Sequence, residues 1–269
     1  MIVWLNGALL DSAAARIDPA DRGFLLGDGV FETITVRGGK ILRLAAHERR
    51  LREGCDVLRL PRPEYDLGAV IAATVTANAL ADAIVRVTLT RGIGARGVMP
   101  PENPAPTLLV SVTSLPQQQT PARCVIAAVT RRNEHSPLSR IKSLNYLDGI
   151  LARQEAQERG ADDALLLNGA GRVSEATSSN LFIVKGGRVM TPPVADGALP
   201  GIMRAEILAA TGGIEKSLSP DDVTQADEAF LTNSLDLRRI ASVEGNIVGT
   251  GSSFPTFDLL MSMIGKSCR

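Results

Sequence analysis

Apolar residues recur along the first half of the chain in short runs and in one long helical pattern. Four runs rich in Val, Ile, Thr and Leu predict strands: IVWLN (2–6), VFETITV (30–36), AIVRVTLTR (83–91) and TLLVSVT (107–113). A further set of residues has helical spacing and predicts a helix over about 44–60 with one buried face. The residues of that face are Leu44, His47, Leu51, Cys55 and Leu58. A second helix is predicted over about 66–81.

The second half mixes the same two patterns without a regular alternation. Strands are predicted at CVIAAVT (124–130), DALLLN (163–168), NLFIVK (180–185), RVMT (188–191) and AFLTN (229–233). Helices are predicted over 145–159, from 201 to about 210, and near the C-terminal FDLLMSMI (257–264). Because strands and helices are interleaved without a βαβ rhythm, the sequence predicts an α+β fold.

The segment SLPQQQTPAR (114–123) interrupts both patterns. It combines two prolines with three glutamines, which is typical of a linker. With 269 residues, the chain is long enough for two domains. We therefore expect a small N-terminal domain at 1–114, a linker at 115–123 and a larger domain at 124–269.

Composition argues against several classes of function. The formal net charge is zero and no basic block is present, so nucleic-acid binding is not expected. Three cysteines, Cys55, Cys124 and Cys268, are widely spaced and form neither a metal motif nor a disulfide framework. The N-terminus lacks the positive region of a signal peptide, and the apolar stretch at 67–81 is too short and too polar to span a bilayer. We expect a soluble cytoplasmic protein.

Two glycine-rich segments imitate nucleotide-binding motifs. RGIGARG (91–97) has the spacing G-x-G-x-x-G, but the proline-rich VMPPENPAP that follows cannot begin the helix that a dinucleotide site requires. GKS (265–267) lacks the first glycine of a P-loop, because Leu260 stands at that position. His47 and His135 have no metal-ligand spacing, and no G-x-S-x-G motif is present. Residues 92–105 are therefore interpreted as a loop.

Lys142 is the unusual lysine of this chain. The other four lie beside turns or loops or in the C-terminal tail: Lys40, Lys185, Lys216 and Lys266. Lys142 instead lies between Ile141 and Leu144, in an apolar setting. A buried amine must find a partner or lose its charge, and a neutral lysine is what Schiff-base chemistry requires.

Two further segments carry matching chemistry. In VSEATSSNLF (173–182), Glu175 precedes a run of small hydroxylated side chains. In ALPGIMRAEI (198–207), Pro200 and Gly201 lead into a helix with no carboxylate before Glu206, so its first N–H groups are open to an anion. An amine, an acid and an anion cradle are what pyridoxal phosphate requires of a protein. From the residues alone, this cofactor is one candidate among others.

Six sequence blocks resemble the fold-type IV pyridoxal-phosphate enzymes, in that family's order along nearly the whole chain. They are GDGVFET (27–33), HERRL (47–51), KSLNYL (142–147), SEATSSNLF (174–182), LPGIMR (199–204) and ADEAFLTNS (226–234). The family includes branched-chain aminotransferases, D-amino-acid aminotransferases and aminodeoxychorismate lyases. The resemblance implies a homodimeric enzyme with a small N-terminal α/β domain and a larger, cofactor-binding C-terminal domain of mixed α/β structure.

The resemblance also assigns the cofactor contacts. Lys142 matches the Schiff-base lysine, Glu175 matches the carboxylate that faces the pyridine nitrogen, and Arg50 matches the phosphate-binding arginine. Without the resemblance, Arg50 is indistinguishable from its neighbour Arg49, and both are interpreted as solvated. The other matched cofactor positions are the backbone amides of Ile202 and Met203, the hydroxyl of Ser234, the ring-packing Leu199, and Tyr146 near the phenolic oxygen.

Residues on the substrate side favour the lyase. Thr33 matches a threonine typical of aminodeoxychorismate lyases, and Arg96-Gly97 resembles their R-G pair. Val98 replaces the histidine that D-amino-acid enzymes carry, and Met203 is also typical of the lyases, where aminotransferases usually have threonine. The resemblance therefore implies a 4-amino-4-deoxychorismate lyase of folate biosynthesis, which eliminates pyruvate to give 4-aminobenzoate through an aldimine at Lys142.

Other positions keep an alternative open. Arg86 and Tyr146 are shared with the branched-chain enzymes, which favours a class IV aminotransferase that transfers an amino group from a D- or branched-chain amino acid to a 2-oxo acid. In either reading the substrate is a small carboxylated amine, with Phe31, Arg86 and Arg96 beside it. Thr33 is assigned to proton delivery in the lyase. A non-catalytic binding module would require the loss of Lys142 or Glu175, and both are present.

Overall fold

The structure, a computed structural model, describes residues 1–62, 64–116, 120–249 and 254–267, without the side chains of 264–267. The chain forms two compact units: Met1–Pro116 with Ile141–Asn145, and Gln117–Arg140 with Tyr146–Arg269. Residues 117–119 of the expected linker, and Cys268, lie outside the described residues. The short segment Ile141–Asn145 belongs to the first unit, whereas a single division at the linker assigns it to the second domain.

An antiparallel sheet forms the framework of the first unit. Its strands are β1 (Ile2–Leu5), β2 (Ala8–Asp11), β3 (Gly29–Arg37), β4 (Lys40–Ile41), β5 (Ala83–Thr90) and β6 (Thr107–Thr113). They pair in the order β2-β1-β6-β5-β3-β4. The helices of this unit are α1 (Arg22–Leu26), α2 (Leu44–Leu58) and α3 (Leu67–Ala77). Apolar residues of α2 and α3 are buried in one cluster with the sheet, Cys55 and Ile71 among them.

Strand β3 has two chemically different faces. Val30 and Ile34 are buried in the core beneath α2 and α3. Because successive side chains of a strand point to opposite sides, Phe31 and Thr33 point to the other face. The register with β5 places Thr33 directly opposite Arg86. This second face therefore carries residues that the sequence assigns to substrate binding and proton transfer.

A mixed sheet forms the framework of the second unit. Its strands are β7 (Ala122–Ile126), β8 (Asp163–Leu167), β9 (Val173–Ala176), β10 (Asn180–Lys185), β11 (Arg188–Thr191), β12 (Ile214–Glu215), β13 (Glu228–Thr232), β14 (Leu237–Val243) and β15 (Asn246–Ile247). They pair in the order β12-β11-β10-β13-β14-β7-β8-β9, and β15 pairs with β14. The helices are α4 (Leu147–Glu158), α5 (Ile202–Thr211), α6 (Pro220–Thr224) and α7 (Pro255–Ser267), with short 3-10 turns at Pro137–Arg140 and Val194–Asp196.

Three phenylalanines connect the sheet of the second unit to its last helix. Phe182 of β10 and Phe230 of β13 stack with ring centroids 5.3 Å apart. Phe257 of α7 meets Phe230 edge-on at 6.0 Å. Both geometries are favoured between aromatic rings. In a chain with only 3% aromatic residues, this cluster concentrates much of the available ring area in one place.

The predicted α+β class is confirmed, and two predicted elements end early for visible reasons. The strand predicted at 124–130 ends at Ile126, because the Glu155 carboxylate accepts hydrogen bonds from the amides of Ala128 at 2.9 Å and Val129 at 3.0 Å. The helix predicted to reach residue 81 ends at Ala77. There the Asn78 side chain instead hydrogen-bonds the backbone N–H and C=O of Ile2 at 2.9 and 2.7 Å.

Sequence patterns missed several short elements. These are β2, β4, β9, β12, β14, β15, α1 and α6. In β14, two adjacent arginines, Arg238 and Arg239, interrupt the apolar run that would indicate a strand. Among the described residues, no helix is both long and apolar enough to cross a bilayer.

Replacing Phe230 with alanine is expected to destabilise the protein by about 3–5 kcal/mol, because the deletion leaves a cavity between β10 and α7. Urea unfolding followed by circular dichroism measures the change. Phe24→Ala is the matched control, since Phe24 is 75% exposed and its removal is expected to change stability by no more than about 0.5 kcal/mol. Equal losses in the two variants would contradict the assigned role of the cluster.

Candidate active site

Backbone pairing fixes Lys142 in the first unit. The amide of Phe31 donates to the Lys142 carbonyl at 2.9 Å, and the amide of Leu144 donates to the Gly29 carbonyl at 3.0 Å. Ile141 is buried in the core of this unit. The apolar neighbours of Lys142 thus anchor the segment 141–145 to the first unit, and the half-buried Lys142 lies beside the start of β3.

A ring connects Lys142 to the second face of β3. The Lys142 Nζ lies 4.3 Å from the centroid of the Phe31 ring, and the Arg86 guanidinium carbon lies 3.9 Å from the same centroid. Both distances are in the range of cation–π contacts. With Thr33 opposite Arg86, the first unit brings together four residues that the sequence assigns to catalysis or substrate binding.

The opposite face of β3 holds a buried carboxylate that the sequence analysis missed. Glu32 is fully buried and accepts two hydrogen bonds from Arg50, from Nε and Nη2, each at 2.7 Å. His47 Nδ1 lies 2.7 Å from the second oxygen. Burial opposes ionisation, but the hydrogen bonds and charges of Arg50 and His47 prevail and lower the pKa of Glu32 below its usual value. The Arg50 guanidinium is therefore fixed by two hydrogen bonds to Glu32, made by Nε and Nη2, and Nη1 takes no part in them.

Glu175 is held by a cation and an amide in the second unit. Its Oε1 lies 3.0 Å from Nε of Arg132, and its Oε2 accepts from the Leu199 amide at 2.9 Å and from Asn180 Nδ2 at 3.4 Å. Asn180 also donates to the Leu199 carbonyl at 2.8 Å. This arrangement holds the carboxylate as an oriented hydrogen-bond acceptor, which is the chemistry that a protonated pyridine nitrogen needs.

The N-terminus of α5 has no side-chain cap, and the Asn180 side chain lies close to its backbone. Gly201 is its N-cap, no side chain caps it, and its first turn, which begins with Ile202 and Met203, contains no acidic residue. A Cβ at Gly201 would lie 2.0 Å from Asn180 Oδ1, so a larger residue there would displace the Asn180 side chain. On β13, Thr232 pairs with Asn180, and its buried hydroxyl has no hydrogen-bond partner in the part of the chain that the structure describes.

The remaining predicted residues are spread over both units. Tyr146 is the N-cap of α4, and Ser234 follows the end of β13. Arg96 is exposed in the loop between β5 and β6. The described residues contain no cluster of His, Cys, Asp and Glu that could hold a metal ion. Burial raises the pKa of the Cys55 thiol to about 11 and that of Cys124 to about 12, which makes both poor nucleophiles.

The chain belongs to the class IV aminotransferase family, whose sequence model matches residues 29–243. A candidate branched-chain aminotransferase of Methanocaldococcus jannaschii is 34% identical over 92% of this chain and 90% of its own length. A candidate 4-amino-4-deoxychorismate lyase of Legionella pneumophila superposes with a TM-score of 0.87 at 30% identity, over 96% of this chain and 97% of that one. The branched-chain amino acid aminotransferase of Escherichia coli superposes with a TM-score of 0.91 at 25% identity, over 98% and 93%.

Membership of this family confirms the predicted cofactor class, because class IV aminotransferases use pyridoxal phosphate. The residues of each unit fit it. The first unit offers a lysine amine ordered against a ring and an arginine fixed by Glu32. The second offers an oriented carboxylate, a helix N-terminus with no side-chain cap and no acidic residue in its first turn, and a buried hydroxyl at Thr232. Those donors suit a phosphate ester.

Of the residues that orient the site, Glu32 and Asn180 could have been found from the sequence, whereas Arg132 could not. Glu32 lies in the block GDGVFET and Asn180 in SEATSSNLF, so each stood within a matched segment without an assigned role. Arg132 lies in none of the six blocks. Its contact with Glu175 depends on how β9 and the segment before Pro137 meet in the fold, which no local pattern reveals.

Replacing Glu32 with glutamine is expected to cost about 3–5 kcal/mol of stability near neutral pH, because Arg50 is left as a buried charge without its partner. The pKa of Glu32 is lowered in the fold from an ordinary value of 4.5. Its contribution is therefore full above that value and is lost as the pH falls through the lower, folded pKa. Urea unfolding at several pH values is the measurement.

Glu53→Gln is the control for this variant, since Glu53 is exposed on α2, the helix that carries Arg50. The stability difference between the wild type and Glu32→Gln is expected to shrink under acid, whereas Glu53→Gln is expected to behave like the wild type throughout. A Glu32→Gln protein as stable as the wild type at neutral pH would contradict the role of this carboxylate.

Proposed function

We propose that the protein is a pyridoxal-phosphate enzyme that eliminates pyruvate from 4-amino-4-deoxychorismate and releases 4-aminobenzoate. The observation that carries the proposal is the cluster of Lys142, Phe31, Thr33 and Arg86 on one face of β3. It combines an amine for proton transfer, a hydroxyl for proton delivery and a cation for a carboxylate. The fixed carboxylate of Glu175 supports the same reading.

In this scheme Lys142 would hold the bound cofactor through its amine. The Lys142 Nζ would also take the proton from the substrate carbon that bears the amine. Pyridoxal phosphate, when bound, supplies an electron sink next to this carbon. Glu175 keeps a proton at the pyridine nitrogen, because Arg132 and the Leu199 amide fix its carboxylate in one orientation.

Thr33 and two arginines act on the substrate. The Thr33 hydroxyl donates a proton to the departing three-carbon group, since a hydroxyl both donates and accepts hydrogen bonds. Arg86 and Arg96 bind substrate carboxylates through paired hydrogen bonds, and the Phe31 ring orders the Arg86 guanidinium. The other proposed cofactor contacts are Arg50, Ile202, Met203 and Ser234 for the phosphate and Leu199 and Tyr146 for the ring. The homodimer and the cytoplasmic location stay predictions from the sequence.

A class IV aminotransferase is the second candidate. It is favoured by Arg86 and Tyr146, and by the 34% identity to the candidate branched-chain aminotransferase of Methanocaldococcus jannaschii. In this reaction Lys142 would move the same proton, and no group would leave the substrate. The same amine and carboxylate serve both outcomes, so the two candidates differ in the substrate and in the fate of one proton.

The visible spectrum of the purified protein, with cofactor added, separates the candidates. An absorption band of bound cofactor is expected before any substrate is added. D-alanine, L-leucine and L-glutamate, added in turn, are expected to leave the band unchanged, and aminodeoxychorismate is expected to yield pyruvate and 4-aminobenzoate. Bleaching by one of the three amino acids would establish the aminotransferase and name its donor class. Absence of any band would count against both.

Replacing Lys142 with alanine is expected to abolish both the band and turnover, because Lys142 is the lysine whose amine lies against the Phe31 ring. Lys40→Ala is the matched control, since Lys40 is exposed in β4 and its loss is expected to leave both unchanged. Unfolding curves of the two variants exclude a general loss of structure. A Lys142→Ala enzyme with normal turnover would end the whole scheme.

Replacing Thr33 with valine is expected to reduce pyruvate release by about 10²–10⁴-fold, the usual contribution of a positioned proton donor. The cofactor band is expected to remain, because the change retains the branched shape and removes only the hydroxyl. Thr113→Val, at the exposed end of β6, serves as the control. Full lyase activity in Thr33→Val would remove Thr33 from the mechanism and leave the roles of Lys142 and Glu175 untouched.

A further inference from the structure

The loop between β5 and β6 is closed at its base. Asp21 Oδ2 accepts hydrogen bonds from Thr90 Oγ1 at 2.9 Å and from Thr107 Oγ1 at 2.7 Å, so one carboxylate joins the two strands where the loop begins and ends. Gly92 has a φ of +81°, and a Cβ there would lie 1.8 Å from the Ala105 carbonyl oxygen. Residues 92–105 therefore leave and re-enter the sheet through a narrow neck.

A buried arginine fills the inside of this loop. The Arg22 guanidinium donates to three consecutive backbone carbonyls, those of Gly97 at 3.0 Å, Val98 at 2.9 Å and Met99 at 3.3 Å. A Cβ on Gly94 would lie 2.7 Å from Arg22 Cδ. Arg22 is only 3% exposed, whereas the side chain of Val98, whose carbonyl Arg22 binds, is 85% exposed. The loop is thus wrapped around a guanidinium rather than around an apolar core.

Asp28 fixes Arg22 and a second arginine at the same point. Its Oδ2 lies 2.8 Å from Nε of Arg22 and 2.8 Å from Nε of Arg91. Arg91 Nη2 also donates to Asp28 Oδ1 at 3.0 Å, and its two terminal nitrogens donate to the carbonyls of Leu58 and Arg59, at the end of α2. The two arginines share one carboxylate and similar burial but hold different segments, so they form a natural matched pair.

We propose that Arg22 is a positioning residue that holds the loop of residues 92–105 in the conformation that presents Arg96 to a substrate carboxylate. Arg96 directly precedes the three carbonyls that Arg22 binds, so release of those carbonyls frees the backbone that carries it. A planar guanidinium with five donors serves Asp28 and three carbonyls at once, which a lysine ammonium on the same site does not. The role of Arg96 in this inference rests on the proposed function.

Arg22→Lys and Arg91→Lys, each prepared as the cofactor-loaded enzyme, test the inference. Trypsin cleavage after Arg96, identified by the masses of its two products, reports the loop directly and needs no catalysis. Loss of the carbonyl bonds is expected to speed this cleavage by about tenfold or more in Arg22→Lys, with Arg91→Lys close to the wild type. In Arg22→Lys the KM for the compound that the wild type turns over is expected to rise about tenfold, with kcat nearly unchanged.

Gly94→Ala provides a second variant that keeps the charge of Arg22 and displaces its aliphatic chain. It is expected to shift the cleavage rate and the KM in the same direction as Arg22→Lys. If Arg22→Lys does not fold, Gly94→Ala tests the inference in its place. Equal cleavage in the Arg22 and Arg91 variants would overturn the positioning role, and faster cleavage with an unchanged KM would overturn the link to substrate. Failure of the proposed function is seen separately, as a wild type without a cofactor band or turnover, while the cleavage result still stands.

Discussion

The alternation of side chains along β3 is the constraint on which the rest of the first unit depends. One face of the strand must fill the core, and it does so with Val30 and Ile34 around the charged Glu32. The other face is then free to carry Phe31 and Thr33. A slip of one residue in the register with β5 would exchange these faces, placing the Phe31 ring under the helices and taking the Glu32 carboxylate away from Arg50 and His47. The full ladder between β3 and β5 therefore protects the chemistry as well as the fold.

Buried and half-buried carboxylates are paired with hydrogen-bond donors in both units. Glu32 lies between Arg50 and His47, Asp28 between Arg22 and Arg91, and Glu175 between a cation and a backbone amide. An isolated charge in such places would cost several kcal/mol, and pairing mainly recovers that cost rather than adding stability. What these clusters provide is a fixed direction for each arginine or carboxylate, which is what an active site requires of its supporting residues.

Sequence reasoning reached the reactive groups more readily than the residues that orient them. Lys142 stood out because its neighbours are apolar, and Glu175 lay in a matched block, so both had local signals. Arg132 and Arg22 had none, since each is an ordinary arginine until the fold brings a distant carboxylate or loop to it. The loop at 92–105 shows the limit most clearly. Its prolines excluded a helix, but its carbonyls are bound by the Arg22 side chain, which lies far earlier in the chain.

The two candidate reactions place nearly the same demands on the site. Lyase and aminotransferase both need an amine that moves a proton and a carboxylate that keeps the pyridine nitrogen protonated, and the proposed function assigns these roles to Lys142 and Glu175 in either case. In that proposal the outcomes are separated by whether a second proton donor lies near the leaving group. On the second face of β3 the Thr33 hydroxyl is opposite Arg86, so donor and carboxylate-binding cation share one strand pair. Under the proposed function, a leaving group whose carboxylate binds Arg86 lies beside the Thr33 hydroxyl, which is the arrangement that elimination requires.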